Sequence, residues 1–117
     1  MSLLVIPKLP MQTIEATSAY LQQVFLAETK AFGADYLIAT SIYGEFHYFR
    51  MDFDPLQNYG QVYIRTEDKI EELYATLTSR GAMLAKFGHL AIKPWGLSEF
   101  ALLDPSHNLY TFGQVLA

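Results

Sequence analysis

The segment from Pro94 to Gln114 reads PWGLSEFALLDPSHNLYTFGQ and is the stretch that decides the fold. It opens with a break at Trp95-Gly96 and continues into an apolar strand that carries one acid, Glu99. A tight turn at Asp104-Pro105 follows, and an aromatic strand closes the segment. Asp and Pro are residues that favour turns, so the pattern predicts two apolar strands joined by a tight turn.

Composition indicates one domain covering residues 1–117. The chain has 117 residues, of which 51% are hydrophobic and 15% aromatic, enough to bury the core of a small domain. It contains no cysteine, which excludes a disulfide framework, a thiolate zinc site and a cysteine nucleophile. The net charge of -4 and the scattered basic residues argue against nucleic-acid binding. The apolar run at Leu3–Ile6 is too short for a signal peptide or a membrane span, so we expect no membrane association and a cytoplasmic location.

The chain divides into two similar halves, residues 1–52 and 59–117. In the first half we predict a strand at Leu3–Leu9, a helix capped by Thr13, a short linking strand at 26–31, and strands at 36–41 and 45–51. In the second half we predict a strand at 61–65, a helix capped by Thr66 or Asp68 and closed by Arg80 and Gly81, and strands at 83–87, 99–103 and 109–113. The order strand, helix and three strands therefore occurs twice.

The turn Asp104-Pro105-Ser106-His107-Asn108 and its flanking strands resemble the C-terminal signature of the glyoxalase/bleomycin-resistance superfamily, known as the vicinal-oxygen-chelate fold. Relatives favour Gly where this chain has His107. The resemblance covers nearly the whole chain and implies an α+β fold. In that fold two βαβββ modules form a curved eight-stranded mixed sheet, with helices on the convex face and a cup on the concave face. It also implies a homodimer whose ligand crevices are built from both subunits.

The resemblance locates the positions that hold a metal in the metal-using relatives. Carried over residue by residue, they are Ile6, Glu45, Gln61 and Thr111. A divalent transition metal prefers three or four imidazole, thiolate or carboxylate ligands, whereas Ile6 offers none and Gln61 and Thr111 offer weak neutral oxygens. His47 could add a single imidazole beside Glu45. We therefore expect no bound metal and no other cofactor.

What remains in the predicted cup is a set of aromatic side chains with a few polar ones. Strand alternation, together with the resemblance, assigns them as candidate ligand-binding residues, with Trp95 on a loop at the rim: Tyr43, Glu45, His47, Phe49, Gln61, Tyr63, Trp95, Glu99 and Thr111. Such a concave aromatic site suits a small, flat organic ligand, and its acids suit a cation.

Each assignment has a structural alternative. Tyr43 and Tyr63 could pack across neighbouring strands, Glu45 and Glu99 could form ion pairs, and His47 could be a hydrogen-bonded strand histidine. The side chains that alternate onto the helix-covered side are predicted to form the core: Phe46, Tyr48, Phe100 and Phe112.

The sequence favours a metal-free binding protein of bleomycin-resistance type, connected with antibiotic resistance. Such a protein would sequester an aromatic or cationic drug or metabolite without turnover. One alternative is a lyase, isomerase or dioxygenase of the same fold with a degenerate metal site. Another is a scaffold domain that binds a protein. No phosphate-binding glycine loop, nucleophile elbow or His-Glu-x-x-His helix occurs, so the pattern assigns no catalytic residue.

Overall fold

A computed structural model describes residues 1–116, which form two helices and nine strands. The first half contains β1 (Lys8–Met11), α1 (Ile14–Val24), β2 (Glu28–Phe32), β3 (Tyr36–Ser41) and β4 (Gly44–Arg50). The second half contains β5 (Gln61–Arg65), α2 (Ile70–Ser79), β6 (Met83–Leu84), β7 (Ala91–Ile92), β8 (Leu97–Leu103) and β9 (Leu109–Val115). Neither helix is long and apolar enough to cross a membrane.

The two-module α+β fold is as predicted, and backbone hydrogen bonding divides its strands into one mixed sheet per module. The first sheet has the order β1-β4-β3-β2, and the second has the order β5-β9-β8-β6, with β7 also paired to β8. In each sheet the first strand runs parallel to the last, β1 beside β4 and β5 beside β9. The repeat that the sequence predicts is therefore present in the strand pairing as well as in the element order.

The two modules share an aromatic core. Phe25, at the end of α1, lies 6.3 Å from Phe46, 5.4 Å from Tyr110 and 6.2 Å from Phe112, measured between ring centroids. Phe100 stacks on Phe112 at 4.9 Å. All four residues predicted to face the helices are buried: Phe46, Tyr48, Phe100 and Phe112. The prediction of which face of each sheet forms the core is therefore confirmed.

The helix ends agree with the sequence at two of the three points that were predicted. The Thr13 side chain accepts a hydrogen bond from the Ala16 amide, and Arg80 with Gly81 ends α2. The start of α2 differs, since its N-cap is Lys69 in a left-handed conformation with φ 60° and no side-chain cap. The predicted cap Thr66 instead donates its hydroxyl hydrogen to the carbonyl of Asp68.

Three predicted strands are shorter or shifted. The first begins at Lys8 rather than Leu3, because only residues 8–11 pair with β4, and Pro10 is tolerated there because β1 is an edge strand. The linking strand begins at Glu28, after Leu26 turns the chain with φ 52°. The strand expected at 83–87 ends at Leu84, and Phe87 belongs to a turn.

The β8–β9 turn is organised by the buried carboxylate of Asp104. One carboxylate oxygen accepts hydrogen bonds from the amides of Ser106 and Asn108, and the other from the Asn108 side chain and the Tyr110 hydroxyl. Burial raises the pKa of Asp104, although these hydrogen bonds oppose the shift. Asn108 also donates to the carbonyl of Pro10, and the turn therefore joins the second module to the first.

Candidate functional site

The structure places the four metal positions that the resemblance suggested on or beside the parallel strand pairs. Ile6 precedes β1 and Glu45 lies on β4. Gln61 pairs with Leu109 at the start of β5, and Thr111 lies on β9 opposite Tyr63.

This set of positions does not fit a transition metal. Isoleucine is not a ligand, glutamine and threonine offer only neutral oxygens, and Glu45 alone offers a carboxylate. Across residues 1–116, no three His, Asp or Glu side chains lie close enough together to hold a metal ion.

The second sheet brings Tyr63, Trp95 and Glu99 into one hydrogen-bonded cluster. The Glu99 side chain lies on β8 and is only 7% exposed. One of its carboxylate oxygens, Oε2, accepts hydrogen bonds from the Tyr63 hydroxyl at 2.7 Å and the Trp95 Nε1 at 3.0 Å. Both donors are neutral, and Glu99 is in neither of the two ion pairs that form between described residues. A buried acid is thus held in place without a cationic partner from the chain.

A missing side chain at Gly113 allows this cluster to form. Gly113 lies on β9, directly between Arg65 of β5 and Glu99 of β8 in the register. A Cβ atom added there would lie 1.8 Å from the Tyr63 hydroxyl oxygen. The Tyr63 ring therefore crosses the sheet over this glycine to reach Glu99.

Tyr63 acts as the hydrogen-bond donor in this contact across the neutral range. Desolvation raises the pKa of Tyr63, and the hydrogen bond and negative charge of Glu99 raise it further, while Arg65 opposes them. Since the phenol keeps its proton, the negative charge of the cluster stays on Glu99.

A cavity of about 160 Å³ opens beside this cluster. Glu99 and Thr111 line it from neighbouring strands, and Lys93, Trp95 and Phe87 line it from two turns. Trp95 is 64% exposed and Phe87 is 83% exposed, so two aromatic rings stand at the rim with most of their surface in water. The sequence did not identify Phe87 as a site residue, because the pattern assigned it to a strand. The one signal for a turn at this position is Gly88, the turn-forming residue that follows it.

The first sheet carries a second polar cluster, formed by Glu45, His47 and Tyr36. His47 Nε2 lies 2.6 Å from a Glu45 carboxylate oxygen, and its Nδ1 lies 2.8 Å from the Tyr36 hydroxyl. The Lys8 ammonium lies 5.5 Å from the centre of the Tyr36 ring and 5.9 Å from that of Phe49. The arrangement matches the structural alternative for His47, a histidine fixed by hydrogen bonds on a strand.

Two of the nine predicted ligand residues lie away from both clusters. Tyr43 precedes Gly44, whose φ of 130° breaks the strand alternation, and the ring packs into the core at 5.2 Å from Phe25 and 5.9 Å from Phe112. These contacts match the structural alternative for Tyr43, a ring that packs against the core. Gln61 is exposed on β5, two residues before Tyr63, and its side chain hydrogen-bonds to none of the described residues.

Solved structures of known function resemble this chain over its whole length. A bleomycin resistance determinant encoded on the transposon Tn5 superposes with a TM-score of 0.83 at 21% identity, covering 99% of this chain and 100% of that one. A bleomycin-binding protein complexed with bleomycin gives a TM-score of 0.83 at 21% identity, covering 98% and 100%. A glyoxalase/bleomycin resistance protein/dioxygenase from Alicyclobacillus acidocaldarius gives 0.79 at 16% identity, covering 97% and 92%.

These likenesses define the class of fold. No protein-family profile and no curated protein sequence matches the chain. The chain has the glyoxalase/bleomycin-resistance fold, on which both drug-binding proteins and enzymes are built.

Proposed function

We propose that this protein binds a small aromatic cation at the Glu99 cluster, without a metal and without turnover. The observation that carries the proposal is the Glu99 carboxylate, 7% exposed and held through Oε2 by two neutral donors. A buried carboxylate is favoured when a positive charge faces it, and among residues 1–116 none forms an ion pair with Glu99, although Lys93 lines the same cavity. A ligand cation would supply that charge.

The exposed aromatic rings at the rim of the cavity favour a cation that carries an aromatic group. Trp95 and Phe87 expose their rings at the mouth of the cavity, where they can stack on a flat group or attract a positive charge. A cavity of about 160 Å³ holds one ring with its charged substituent. The rest of a larger drug would lie across the open face of the second sheet. The likeness to a bleomycin-binding protein supports this kind of role.

We also propose that the protein works as a homodimer. The side chains of Leu3, Leu4 and Val5 are 84%, 83% and 97% exposed, and they form a continuous apolar segment before β1. Such a segment is costly in water, and a second copy of the chain would cover it.

The test is a titration of the only tryptophan in the chain, Trp95, with a matched pair of ligands. Benzamidine, a flat aromatic cation, should quench its fluorescence at lower concentration than the neutral analogue benzamide. Added salt should reduce the preference, since the site is partly open to solvent. Glu99→Gln should abolish the preference because it removes the charge and keeps the size. Trp95→Ala, followed by calorimetry, should weaken benzamidine binding by about 1 to 2 kcal/mol.

Glu28→Gln, which removes an exposed acid on β2, is the control and should bind like the parent. Equal affinity for benzamidine and benzamide would exclude the charge-selective site. Elemental analysis that finds one tightly bound transition metal per chain would exclude the metal-free role.

A further inference from the structure

A second and larger cavity lies on the other side of the second sheet. Its volume is about 530 Å³, within the range of about 300 to 1,000 Å³ typical of small-molecule sites. One wall is the face of α2 that carries Lys69, Leu73 and Thr76, and the opposite wall is the β3–β4 turn at Ile42 and Tyr43. We call this cavity the inter-module groove, because the first module supplies one wall and the second module the other.

The floor of the inter-module groove is apolar. Ile64, Leu73 and Phe112 line it and pack against the core, and the Tyr43 ring meets Phe112 edge-on at 5.9 Å. At the rim the Ile42 side chain is 92% exposed. An apolar ligand body would therefore gain contact with the floor and would also cover Ile42.

The charges around the groove favour an anionic group. Arg65, Lys69 and Arg80 line it, and none of them takes part in the ion pairs formed by residues 1–116. The exposed acids Asp68 and Glu72 line it as well, so the cations are in excess by one.

Lys69 is the cation with the fewest contacts. Arg80 donates to the Val24 carbonyl, and the Arg65 guanidinium lies 5.8 Å from the Tyr63 ring centre. Lys69 makes neither an ion pair nor a cation–π contact within the described chain.

Lys69 also has two energetically unfavourable features at the mouth of the groove. It adopts a left-handed conformation, with φ 60° and ψ 36°, which costs a non-glycine residue about 1 to 2 kcal/mol. It places a positive charge at the start of a helix, where cations are unfavourable. A residue that is unfavourable for folding on two counts is a candidate for a role in binding.

We propose that the inter-module groove is a second ligand site, for an organic anion that joins one carboxylate to an apolar body. The carboxylate pairs with Lys69, and the body lies on Leu73 and Ile64 against Ile42. The site is independent of the Glu99 cluster, because Ile64 and Phe112 face the groove while their neighbours Tyr63 and Thr111 face the other side of the same sheet.

The test uses 2-naphthoate and its neutral analogue 2-naphthylmethanol, followed by amide chemical-shift changes in NMR spectra of the full chain. Naphthoate should shift the amides of Ile42, Leu73 and Thr76 and leave the Trp95 indole N–H unchanged. Lys69→Asn keeps a residue that tolerates the left-handed conformation and removes the charge. It should weaken naphthoate binding by roughly three- to five-fold, as expected for one partly solvated ion pair, and leave naphthylmethanol binding unchanged.

Two bulky variants on α2 separate the groove from the rest of the surface. Thr76→Trp should fill the groove and abolish naphthoate binding. Ala75→Trp puts the same side chain on the exposed face of α2 and should bind like the parent. Naphthoate shifts confined to residues around Trp95, or equal affinity in parent and Lys69→Asn, would overturn the proposal. Loss of binding in both tryptophan variants would also count against it.

Discussion

Phe87 combines an unfavourable backbone with an unfavourable exposure. Its φ of 60° lies in the left-handed region, and its ring is 83% exposed beside the Glu99 cavity. Only the Lys86 ammonium is found near the face of this ring, 5.4 Å from its centre, among the cation–π pairs of the described residues. Folding gains little from the ring, which fits a ligand-binding role at the rim.

Phe87→Gly should therefore separate stability from binding. Glycine removes the steric cost of the left-handed conformation, partly offset by greater freedom of the unfolded chain, so the free energy of unfolding should rise by up to about 1 kcal/mol. Loss of the ring should weaken benzamidine binding. Urea unfolding and Trp95 titration on the same preparation measure the two effects.

His107→Gly is the matched control for Phe87→Gly. His107 has φ 64° in the β8–β9 turn and does not line the Glu99 cavity. The variant should gain similar stability and keep its affinity for benzamidine. If Phe87→Gly binds benzamidine as tightly as the parent, the ring has no part in recognition.

At this scale, strand alternation predicted which side chains share a face but not which of them touch. Tyr63 and Glu99 were both assigned to the open face of the second sheet. Their hydrogen bond depends on Gly113 of β9, the strand that lies between theirs in the sheet. The importance of its missing side chain can be recognised only when the register is known. Tyr43 lies in the turn before β4, so the alternation along that strand does not fix the direction of its side chain.

Between elements, three tyrosines hold the two modules together, Tyr48 and Tyr110 buried and Tyr20 partly buried. The Tyr20 hydroxyl on α1 accepts a hydrogen bond from the Met83 amide at the start of β6. The hydroxyls of Tyr48 on β4 and Tyr110 on β9 lie 2.8 Å apart, and Tyr110 donates to Asp104. The Tyr110 contact with Asp104 needs the phenol proton, and removal from water disfavours the ionised form of all three.

These tyrosines should make the protein unstable in alkali. Burial raises the pKa of Tyr20 to about 12, and it raises the pKa values of Tyr48 and Tyr110 well above the ordinary value for tyrosine. In the unfolded chain the phenols ionise near pH 10. Because the folded state holds these protons more tightly, their contribution is complete below about pH 10 and is lost as the pH rises towards the folded values.

Urea unfolding at a series of pH values above about pH 9 measures this loss. The decline for Tyr20→Phe should be shallower than that of the parent because one linked proton is gone. Tyr59→Phe removes an exposed phenol and should follow the parent curve. Parallel curves for the parent and Tyr20→Phe would show that Tyr20 ionises equally in both states.

Element boundaries were predictable where one residue fixes them. Thr13 and Gly81 mark helix ends by capping chemistry, and the turn from Asp104 to Asn108 is fixed by one carboxylate and the donors that its own sequence supplies. The start of β1 depends on how far β4 extends beside it, and that long-range pairing leaves no local signal.

For the whole molecule, the exposed segment Leu3–Val5 predicts self-association. The protein should sediment as a dimer at micromolar concentration. Replacing Leu3 and Val5 with lysine should shift it towards the monomer, because two charges enter an apolar contact and repel their copies. Leu56→Lys, at a leucine that is 79% exposed elsewhere, should leave the dimer intact. A parent protein that sediments as a monomer would remove the two-subunit arrangement.

At this scale the sequence predicted the repeat of strand, helix and strands, and it predicted the fold through the resemblance of the β8–β9 turn. It could not predict that the strands form two separately hydrogen-bonded sheets, because the strands of both sheets have the same type of residue pattern. The inter-module groove was equally invisible, since Tyr43 on one wall and α2 on the other are far apart in the chain.

Because hydrogen bonds join the two modules, the connecting segment at residues 52–58 is a suitable place to divide the chain into two fragments. The Gln12 amide donates to the Ser106 hydroxyl and the Pro10 carbonyl accepts from the Asn108 side chain, so each half carries partners that the other half satisfies. Two separately expressed fragments, divided near Leu56, would each be left with an exposed apolar face and a strong reason to reassociate. The molecule is therefore suited to fragment complementation. A small molecule bound in the inter-module groove would contact both fragments and would change how strongly they associate.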